Sequence, residues 1–403
     1  MAVRRGPLPP TRRRGRVLRV LRPLVLPPTP AVLRARRDLS ALLAGDAAYL
    51  PLPDVDSNES TLLRTHLGVG APVDDRCALV VSTSGTTGVP KGAMHTAATL
   101  AASAEATAVA LGGPGAWLQT LPPHHIAGLQ VMLRSIAAGA DPVVVDVSAG
   151  FDPAVLPAAA DALDGPRRYT SLVPVQLRKA LAHPPAVNAL RTFDAILVGG
   201  AATPPALQRD ARDAGLAIVT TYGMSETAGG CVYDGVPLRG TTIRIDAPND
   251  DGVGRVVLGG STVALGYRNR PDHPAFAEPG WFRTDDLGVV RDGVLSIVGR
   301  ADEAVSTGGL TVIPQVVEAV IAELPAVGDC AVVGLPDERL GERVVVAVVP
   351  AEGRAAPTLD EIREFVVDRL DRYAAPREVF VLDSLPLRGP GKVNRAALRE
   401  LLS

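Results

Sequence analysis

The chain has 403 residues, of which 47% are hydrophobic and 21% are charged, a balance that predicts a soluble globular protein of two or three domains. Its formal net charge of −2 gives no reason to expect nucleic acid or an anionic membrane as a partner. It contains no apolar run of 18 residues and no signal-peptide core, so we expect a cytoplasmic protein without a membrane span, and we leave homo-oligomerisation open.

The first segment of the chain is rich in arginine and proline. Residues 1–22 contain eight arginines and no acidic residue. A basic binding arm would have this composition, but charge runs are usually solvated, so we favour an unstructured leader or a start codon assigned too early. We therefore predict that residues 1–30 lie outside the folded domains.

From about residue 77, short apolar runs alternate with longer stretches rich in Ala and Leu. We predict strands at residues 78–81, 117–121, 142–147, 169–173, 195–198 and 216–221. We predict helices at about 96–111, 126–138, 153–163, 174–182 and 204–214. Strands that alternate with helices in this way indicate βαβ units, and therefore a mostly parallel sheet covered by helices.

The pattern changes at about residue 240. Closely spaced strands and Asp-Gly turns over residues 240–299 predict an antiparallel β subdomain. We predict a mixed region after it, with helices near 314–323 and 359–371 and strands near 329–334 and 343–349. The predicted fold class is thus α/β, with a large N-terminal domain over 31–299 and a small α+β C-terminal domain over 300–403.

Lysine is rare in this chain, since only three of its 41 Lys and Arg residues are lysines. Lys91 belongs to residues 82–92, a loop with three glycines and five hydroxyl residues between a predicted strand and a predicted helix. The backbone N–H groups and hydroxyls of such a loop can surround a phosphate while the lysine adds a compact charge. A P-loop NTPase is disfavoured, because Pro90 precedes the lysine and Gly92 stands where a Ser or Thr should ligate magnesium.

Residues 82–92 resemble the phosphate-binding loop of the adenylate-forming superfamily, which includes acyl-CoA synthetases, luciferases and the adenylation domains of peptide synthetases. Four further motifs of that superfamily follow in order, at residues 222–227, 281–287, 299–302 and 386–395. The resemblance spans about residues 77–400. It implies a large adenylation domain, a small mobile C-terminal domain, and an AMP-forming acid–thiol ligase that uses ATP, Mg²⁺ and coenzyme A.

The resemblance also implies which residues contact the nucleotide. Tyr222 would stack on adenine, Asp286 would accept hydrogen bonds from the ribose hydroxyls, and Arg300 would reach the ribose or the phosphates. The chain departs from the superfamily pattern at Asp285, where a glycine is usual, but Asp286 stays in register. The other implied nucleotide contacts are Ser82, Thr83, Ser84, Gly85, Thr86, Thr87, Lys91, Gly199, Gly200, Ala201, Thr221 and Gly223.

Two catalytic residues are implied in the same way. Glu226 would hold Mg²⁺ together with Thr86, a task that suits a carboxylate because Mg²⁺ prefers hard oxygen ligands. Taken alone, Glu226 is better explained as an acidic residue at the start of a helix. Lys392 would stabilise the transition state of adenylation.

The small domain would rotate between the two half-reactions. Asp302 would absorb the rotation at the hinge, and Gly308 and Gly309 would shape the coenzyme A tunnel afterwards. Without the resemblance, residues 299–302 are better explained as a β-turn with a surface ion pair.

The segments after the predicted strands should line the pocket for the acid. We expect five residues there: His124, His125, Arg168, Ser171 and Gly200. The histidine pair could equally cap a helix, and Arg168 could equally be a solvated loop residue.

Residues 121–130, 222–235 and 299–314 resemble those of short actinobacterial 2-succinylbenzoate–CoA ligases of menaquinone biosynthesis. This resemblance implies an acid with a second carboxylate, which needs a polar or cationic partner such as Arg168, Ser171 or His125. The alternatives are another aryl- or fatty-acid–CoA ligase, an acyl-AMP ligase that loads a carrier protein, and a catalytically inactive nucleotide-binding protein.

Overall fold

The computed structural model describes residues 19–83, 89–388 and 392–403. The first sheet contains β1 (Arg19–Val25), β2 (Ala48–Leu52), β3 (Pro72–Val73), β4 (Cys77–Thr83) and β5 (Lys91–Thr96). The helices in this part of the chain are α1 (Arg36–Ala44), α2 (Asn58–His66) and α3 (Ala97–Ala110). The strand order is β3-β1-β2-β4-β5, with β1, β2 and β4 parallel and β5 antiparallel to β4.

Strand β1 lies inside the segment that we predicted to be an unstructured leader, so that prediction is wrong from residue 19 onward. Leu21 and Leu26 are completely buried, and the Arg19 guanidinium donates a hydrogen bond to the Cys77 carbonyl oxygen at 2.8 Å. The buried strand residues, Leu21 and Leu24, are three apart. They lack the two-residue period by which a strand is normally predicted.

The second sheet forms the centre of the large domain. Its strands are β6 (Ala116–Gln119), β7 (Val143–Val144), β8 (Arg168–Leu172), β9 (Ala195–Val198), β10 (Ile218–Met224), β11 (Gly229–Tyr233) and β12 (Val236–Pro237). Their order is β12-β11-β10-β9-β8-β6-β7, and the five strands from β10 to β7 are parallel. The predicted parallel sheet is confirmed.

Helices cover this sheet. They are α4 (Ile126–Ala137), α5 (Leu156–Asp161), α6 (Pro174–Leu181), α7 (Pro184–Leu190) and α8 (Pro205–Asp213). Helix α7 was not predicted, although a proline is well tolerated in the first turn of a helix, where its missing N–H is not needed. Apolar residues of β6, β8, β9 and the packed helices form one core, which includes Leu118, Leu177 and Ile196.

The β subdomain is antiparallel, as predicted. Its strands are β13 (Thr241–Asp246), β14 (Gly254–Gly260), β15 (Trp281–Arg291) and β16 (Val294–Arg300), paired in chain order. Along β15, buried and exposed residues alternate from Phe282 to Asp286, which places Asp286 inward and Asp285 outward.

The C-terminal part of the chain has its own sheet and core. Its elements are β17 (Val305–Thr307), β18 (Leu310–Val312), α9 (Pro314–Ile321), β19 (Val327–Asp337), β20 (Gly341–Pro350), α10 (Leu359–Val367), β21 (Glu378–Val381), β22 (Leu387–Arg388), β23 (Lys392–Val393) and α11 (Arg395–Leu402). Helices α9 and α10 pack on one face of the β19–β20 pair, and α11 packs on the other. The apolar clusters on the two faces of this strand pair consist only of residues after 304.

None of the helices in the described part of the chain combines the length and the apolar character that crossing a membrane requires.

Candidate active site

Strands β4 and β5 form a hairpin whose tip is the predicted phosphate loop. Thr83 pairs with Lys91 and Ser82 with Gly92, so the two ends of the loop are adjacent. The second half of the hairpin, strand β5, leads into helix α3 at Ala97, so a strand precedes the loop and a helix follows it, as we predicted, with β5 between loop and helix. The predicted contacts Ser84, Gly85, Thr86 and Thr87 lie outside the described residues.

Glu226 is a buried carboxylate with only 6% of its surface exposed. The Tyr267 hydroxyl donates a hydrogen bond of 2.5 Å to Glu226 Oε1, and Lys91 Nζ lies 4.7 Å from the centre of the Tyr267 ring. Burial raises the pKa of Glu226, while the Tyr267 hydrogen bond and the charges of Lys91 and Lys392 oppose that rise. Two lysines from opposite ends of the chain therefore lie within electrostatic reach of one carboxylate.

The segment that carries Glu226 is tied to the phosphate hairpin. The Ser225 hydroxyl donates to the Ser82 carbonyl oxygen at 3.1 Å, and His95 Nε2 lies 2.6 Å from the Ser225 carbonyl oxygen. His95 is completely buried, and burial lowers its pKa to about 4. Neither Tyr267 nor His95 was predicted, since each belongs to no predicted motif and finds its partner far along the chain.

Three residues predicted for the nucleotide are joined by hydrogen bonds. The Tyr222 hydroxyl donates to Asp286 Oδ2 at 2.6 Å, and Arg300 donates to Asp286 Oδ1 at 3.2 Å. Burial raises the pKa of Asp286, opposed by the Tyr222 hydrogen bond and the Arg300 charge. Asp285, the departure from the superfamily pattern, pairs instead with Arg255 at 2.8 Å on the exposed side of β15.

Glycines permit close approach at the ends of β9 and β10. A Cβ at Gly199 would lie 2.1 Å from Thr221 Oγ1, and a Cβ at Gly223 would lie 2.1 Å from a carbonyl oxygen. Gly200 has a φ of 82°, which favours glycine. Ala201 directly follows this turn. The predicted residues of these two strand ends therefore belong to the edge where parallel α/β sheets bind ligands.

Three of the residues predicted for the acid pocket lie at the same edge, namely His124 and His125 after β6 and Ser171 near the end of β8. The rings of His124 and His125 are 4.2 Å apart. Burial lowers the pKa of both, that of His124 to about 3, and the charge of Lys392 lowers the pKa of His125 further. Ser171 is buried near the end of β8, where its carbonyl oxygen accepts a hydrogen bond from the Thr120 hydroxyl at 2.5 Å. The Lys392 ammonium is thus within electrostatic reach of both His125 and Glu226.

Arg168 is not part of this pocket, which corrects our prediction. It is the first residue of β8, at the end of the strand opposite to Ser171. Its guanidinium donates to the Ala160 carbonyl oxygen and lies 5.4 Å from the centre of the Phe193 ring. The positive charge of Arg168 made it a candidate partner for a carboxylate, but the charge does not tell at which end of β8 the residue lies.

The predicted hinge and tunnel residues lie in the first part of the small domain. Asp302 forms a two-bond ion pair with Arg300, each bond 2.9 Å long. Gly308 and Gly309 form the turn between β17 and β18, with φ of 58° and 81°. Gly308 donates to the Leu340 carbonyl oxygen at 2.9 Å, and a Cβ at Gly309 would meet nothing within 4 Å.

The site suits a magnesium–nucleotide complex. Within the described residues, no group of three or more His, Cys, Asp or Glu side chains could hold a metal ion. Mg²⁺ commonly binds through one or two carboxylates and takes its other ligands from water and phosphate oxygens. Glu226, a single carboxylate close to two lysines, fits that mode of binding.

Comparisons with known proteins agree with this geometry. Residues 31–268 match the AMP-binding enzyme family model, and residues 316–392 match the AMP-binding enzyme C-terminal domain model. The chain is 53% identical over 364 residues to a probable 2-succinylbenzoate–CoA ligase of Mycobacterium tuberculosis, covering 89% of this chain and 93% of the relative.

Two solved structures share the fold. Escherichia coli MenE with a bound phenylether-linked analogue of OSB-AMS is 28% identical, with a TM-score of 0.73 over 96% of this chain and 89% of that one. Bacillus subtilis o-succinylbenzoate coenzyme A synthetase in complex with ATP and a magnesium ion is 24% identical, with a TM-score of 0.77 over 94% of this chain and 89% of that one.

Proposed function

Because the chain belongs to the AMP-binding enzyme family, we propose that it activates a carboxylic acid as its acyl-AMP and transfers the acyl group to coenzyme A. The acid is 2-succinylbenzoate, and the reaction belongs to menaquinone biosynthesis. The convergence of Lys91, Glu226 and Lys392 on one site carries the proposal for the chemistry. The 53% identity to the M. tuberculosis relative supports the choice of acid. Since ATP and coenzyme A are cytoplasmic substrates, we place the reaction in the cytoplasm.

Adenylation brings two anions together, because a carboxylate attacks the α-phosphate of ATP. A bond forms between an oxygen of the acid and the α-phosphorus, and the bond to the leaving pyrophosphate breaks. Lys91, at the base of the phosphate loop, holds the phosphates. Lys392, which lies close to both His125 and Glu226, reduces the repulsion between the two anions in the transition state.

Glu226 would hold Mg²⁺, which when bound neutralises phosphate charge. Tyr222, Asp286 and Arg300 would orient the nucleoside, since their hydrogen bonds already join them into one unit. Glu226 and Asp286 are largely buried, so the charges beside them interact through a medium of lower dielectric constant than bulk water.

In the second half-reaction the sulfur of coenzyme A bonds to the acyl carbon, the bond from that carbon to the AMP oxygen breaks, and the thiol proton is released to solvent. The repulsion between a carboxylate and the α-phosphate, which Lys392 reduces in adenylation, does not arise at that step. The small domain then turns about Asp302, so that the turn at Gly308 and Gly309 replaces Lys392 at the site.

The second carboxylate of 2-succinylbenzoate needs a polar partner within the pocket. With Arg168 at the far end of β8, two of the predicted partners remain, His125 and Ser171. We assign the unreacting carboxylate to these two, because His125 follows β6 and Ser171 lies near the end of β8, at the edge of the sheet where we expect the acid pocket.

The test is a panel of acids assayed with ATP, Mg²⁺ and coenzyme A, read out as AMP and as thioester. We expect 2-succinylbenzoate to give both products, and aryl acids without the second carboxylate to give far less. If another aryl or fatty acid gives AMP and 2-succinylbenzoate does not, the assignment of the acid is wrong. The protein could also bind ATP and yet catalyse no exchange of pyrophosphate into ATP in the presence of any acid. In that case the proposal of a ligase fails altogether.

A further inference from the structure

Tyr267 connects two residues of the candidate site that come from different segments of the chain. It lies between β14 and β15, outside every predicted motif, and only 1% of its surface is exposed. Its hydroxyl donates to Glu226 Oε1 at 2.5 Å, and its ring lies 4.7 Å below Lys91 Nζ. One side chain therefore contacts both the carboxylate that fits Mg²⁺ and the lysine of the phosphate loop.

The backbone around Tyr267 makes the same connection. Arg268 N donates to the Gly92 carbonyl oxygen, and Met94 N donates to the Gly266 carbonyl oxygen, so this segment runs beside β5 next to Lys91. Ala264 N donates to the Glu226 carbonyl oxygen at 2.9 Å. The segment at 264–268 is thus attached by main-chain hydrogen bonds to Glu226 and to strand β5, which begins at Lys91, independently of the tyrosine side chain.

The Tyr267 ring has little freedom to move. His273 and Phe276 contact it with their rings nearly perpendicular to it, at centroid distances of 4.9 Å and 5.1 Å. Ring pairs in this geometry are favourable, and together with Lys91 over the ring face these two contacts fix the direction in which the hydroxyl points. A phenol held in this way fixes the position of the carboxylate that accepts its hydrogen bond.

The two contacts have different chemical consequences. A hydrogen bond to one carboxylate oxygen orients Glu226 and leaves its other oxygen for a metal ion, as the outer partners of metal ligands commonly do. The ring face attracts the Lys91 ammonium without neutralising it, so the lysine keeps its full charge for a phosphate.

We propose that Tyr267 is a positioning residue that holds Glu226 and Lys91 at the spacing that the phosphates of magnesium–ATP require. This inference rests on the proposed function, because it takes ATP as the ligand. It adds a residue that touches neither the acid nor the reacting atoms and that acts through both partners.

The experiment compares ATP binding by the full-length wild-type protein and by variants, measured calorimetrically over a series of Mg²⁺ concentrations and in EDTA. Tyr267→Phe removes the hydroxyl and keeps the ring. We expect the Mg²⁺ concentration for half-maximal ATP binding to rise about 10- to 100-fold, as when other outer partners of metal ligands are removed. ATP binding in EDTA should stay the same, since the ring still contacts Lys91. Tyr267→Leu should weaken binding in EDTA as well.

Tyr169→Phe is the matched control. Tyr169 is equally buried, and its hydroxyl donates to the Leu111 and Gly113 carbonyl oxygens, at the end of β8 opposite to the site. The Tyr169→Phe variant should lower the unfolding temperature as Tyr267→Phe does, but leave the Mg²⁺ dependence of ATP binding unchanged. Equal Mg²⁺ dependence in Tyr267→Phe and wild type, or an equal shift in both variants, would overturn the proposal.

The same measurements separate this inference from the proposed function. A wild-type protein that binds magnesium–ATP but forms no acyl-AMP contradicts the ligase, while the role of Tyr267 in nucleotide binding is still decided by the variants. A wild-type protein that binds no ATP contradicts both.

Discussion

Lys91 and Lys392 are two of only three lysines in the chain, and both lie within electrostatic reach of Glu226. A lysine carries its charge on a compact ammonium that can enter between phosphate oxygens, whereas the guanidinium of arginine is a planar fork. Arg300, by contrast, occupies a position where the fork is used, since it pairs with Asp302 through two hydrogen bonds. At the residue scale, the choice of cation therefore follows the geometry of its partner.

Whether the role of a residue could be predicted from the sequence depended on how far along the chain its partner lies. Lys91 could be predicted because the surrounding loop has a recognisable composition. Tyr267 and His95 could not, because their partners lie 41 and 130 residues away along the chain, a proximity that only the fold creates. Arg168 shows the converse, since its charge indicated a ligand contact that its position on β8 excludes.

His95 should make the protein less stable in acid. Burial lowers its pKa to about 4, so between pH 6.5 and 4 the unfolded chain binds a proton that the folded protein does not. The free energy of unfolding should therefore be highest above pH 6.5 and fall by about 3 kcal/mol toward pH 4 on account of this residue. Denaturant titrations of wild type and His95→Gln between pH 8 and 4 measure the difference. An identical pH dependence in the two proteins contradicts the assignment.

At the scale of elements, the strands and helices from residue 77 onward followed from their periodicity, because each βαβ unit contains its own signal. Other elements were not predicted. Among them are strand β1, whose buried residues are three apart, and helix α7, which begins with two prolines. The loop that carries Lys392 also depends on a contact that the sequence does not reveal. Arg395, three residues later, pairs with Glu303 at 2.7 Å and Glu318 at 2.6 Å.

Arg395→Ala should destabilise the small domain strongly. The side chain is 10% exposed, and its removal would leave two carboxylates of low exposure without their cation, at a cost of about 3–5 kcal/mol. The pair of Arg343 with Glu378 is more exposed, so Arg343→Ala should cost about 1 kcal/mol or less. Denaturant unfolding of both variants gives the comparison. Equal losses of unfolding free energy in the two variants would contradict the expectation that the burial of Arg395 with Glu303 and Glu318 makes these ion pairs costly to break.

At the scale of the whole molecule, the structure shows one orientation of the small domain, in which the Lys392 charge reaches His125 and Glu226. This orientation suits adenylation, since it brings the ammonium to the place where acid and α-phosphate would meet. In the same orientation, a Cβ at Gly309 would have no heavy atom within 4 Å, while Gly308 is held against Leu340. We propose that the two half-reactions use two arrangements of the same two domains and that Lys392 acts in only one of them.

The most direct test of this account measures the two half-reactions separately in Lys392→Ala. Lys179→Ala serves as the control, because Lys179 is the remaining lysine and is exposed on α6. We predict that Lys392→Ala loses acyl-AMP formation from ATP and 2-succinylbenzoate by at least about 100-fold, since a charge in the transition state is removed. It should convert pre-formed acyl-AMP and coenzyme A to thioester at nearly the wild-type rate, and Lys179→Ala should retain both steps. An equal loss of both half-reactions in Lys392→Ala would contradict the account.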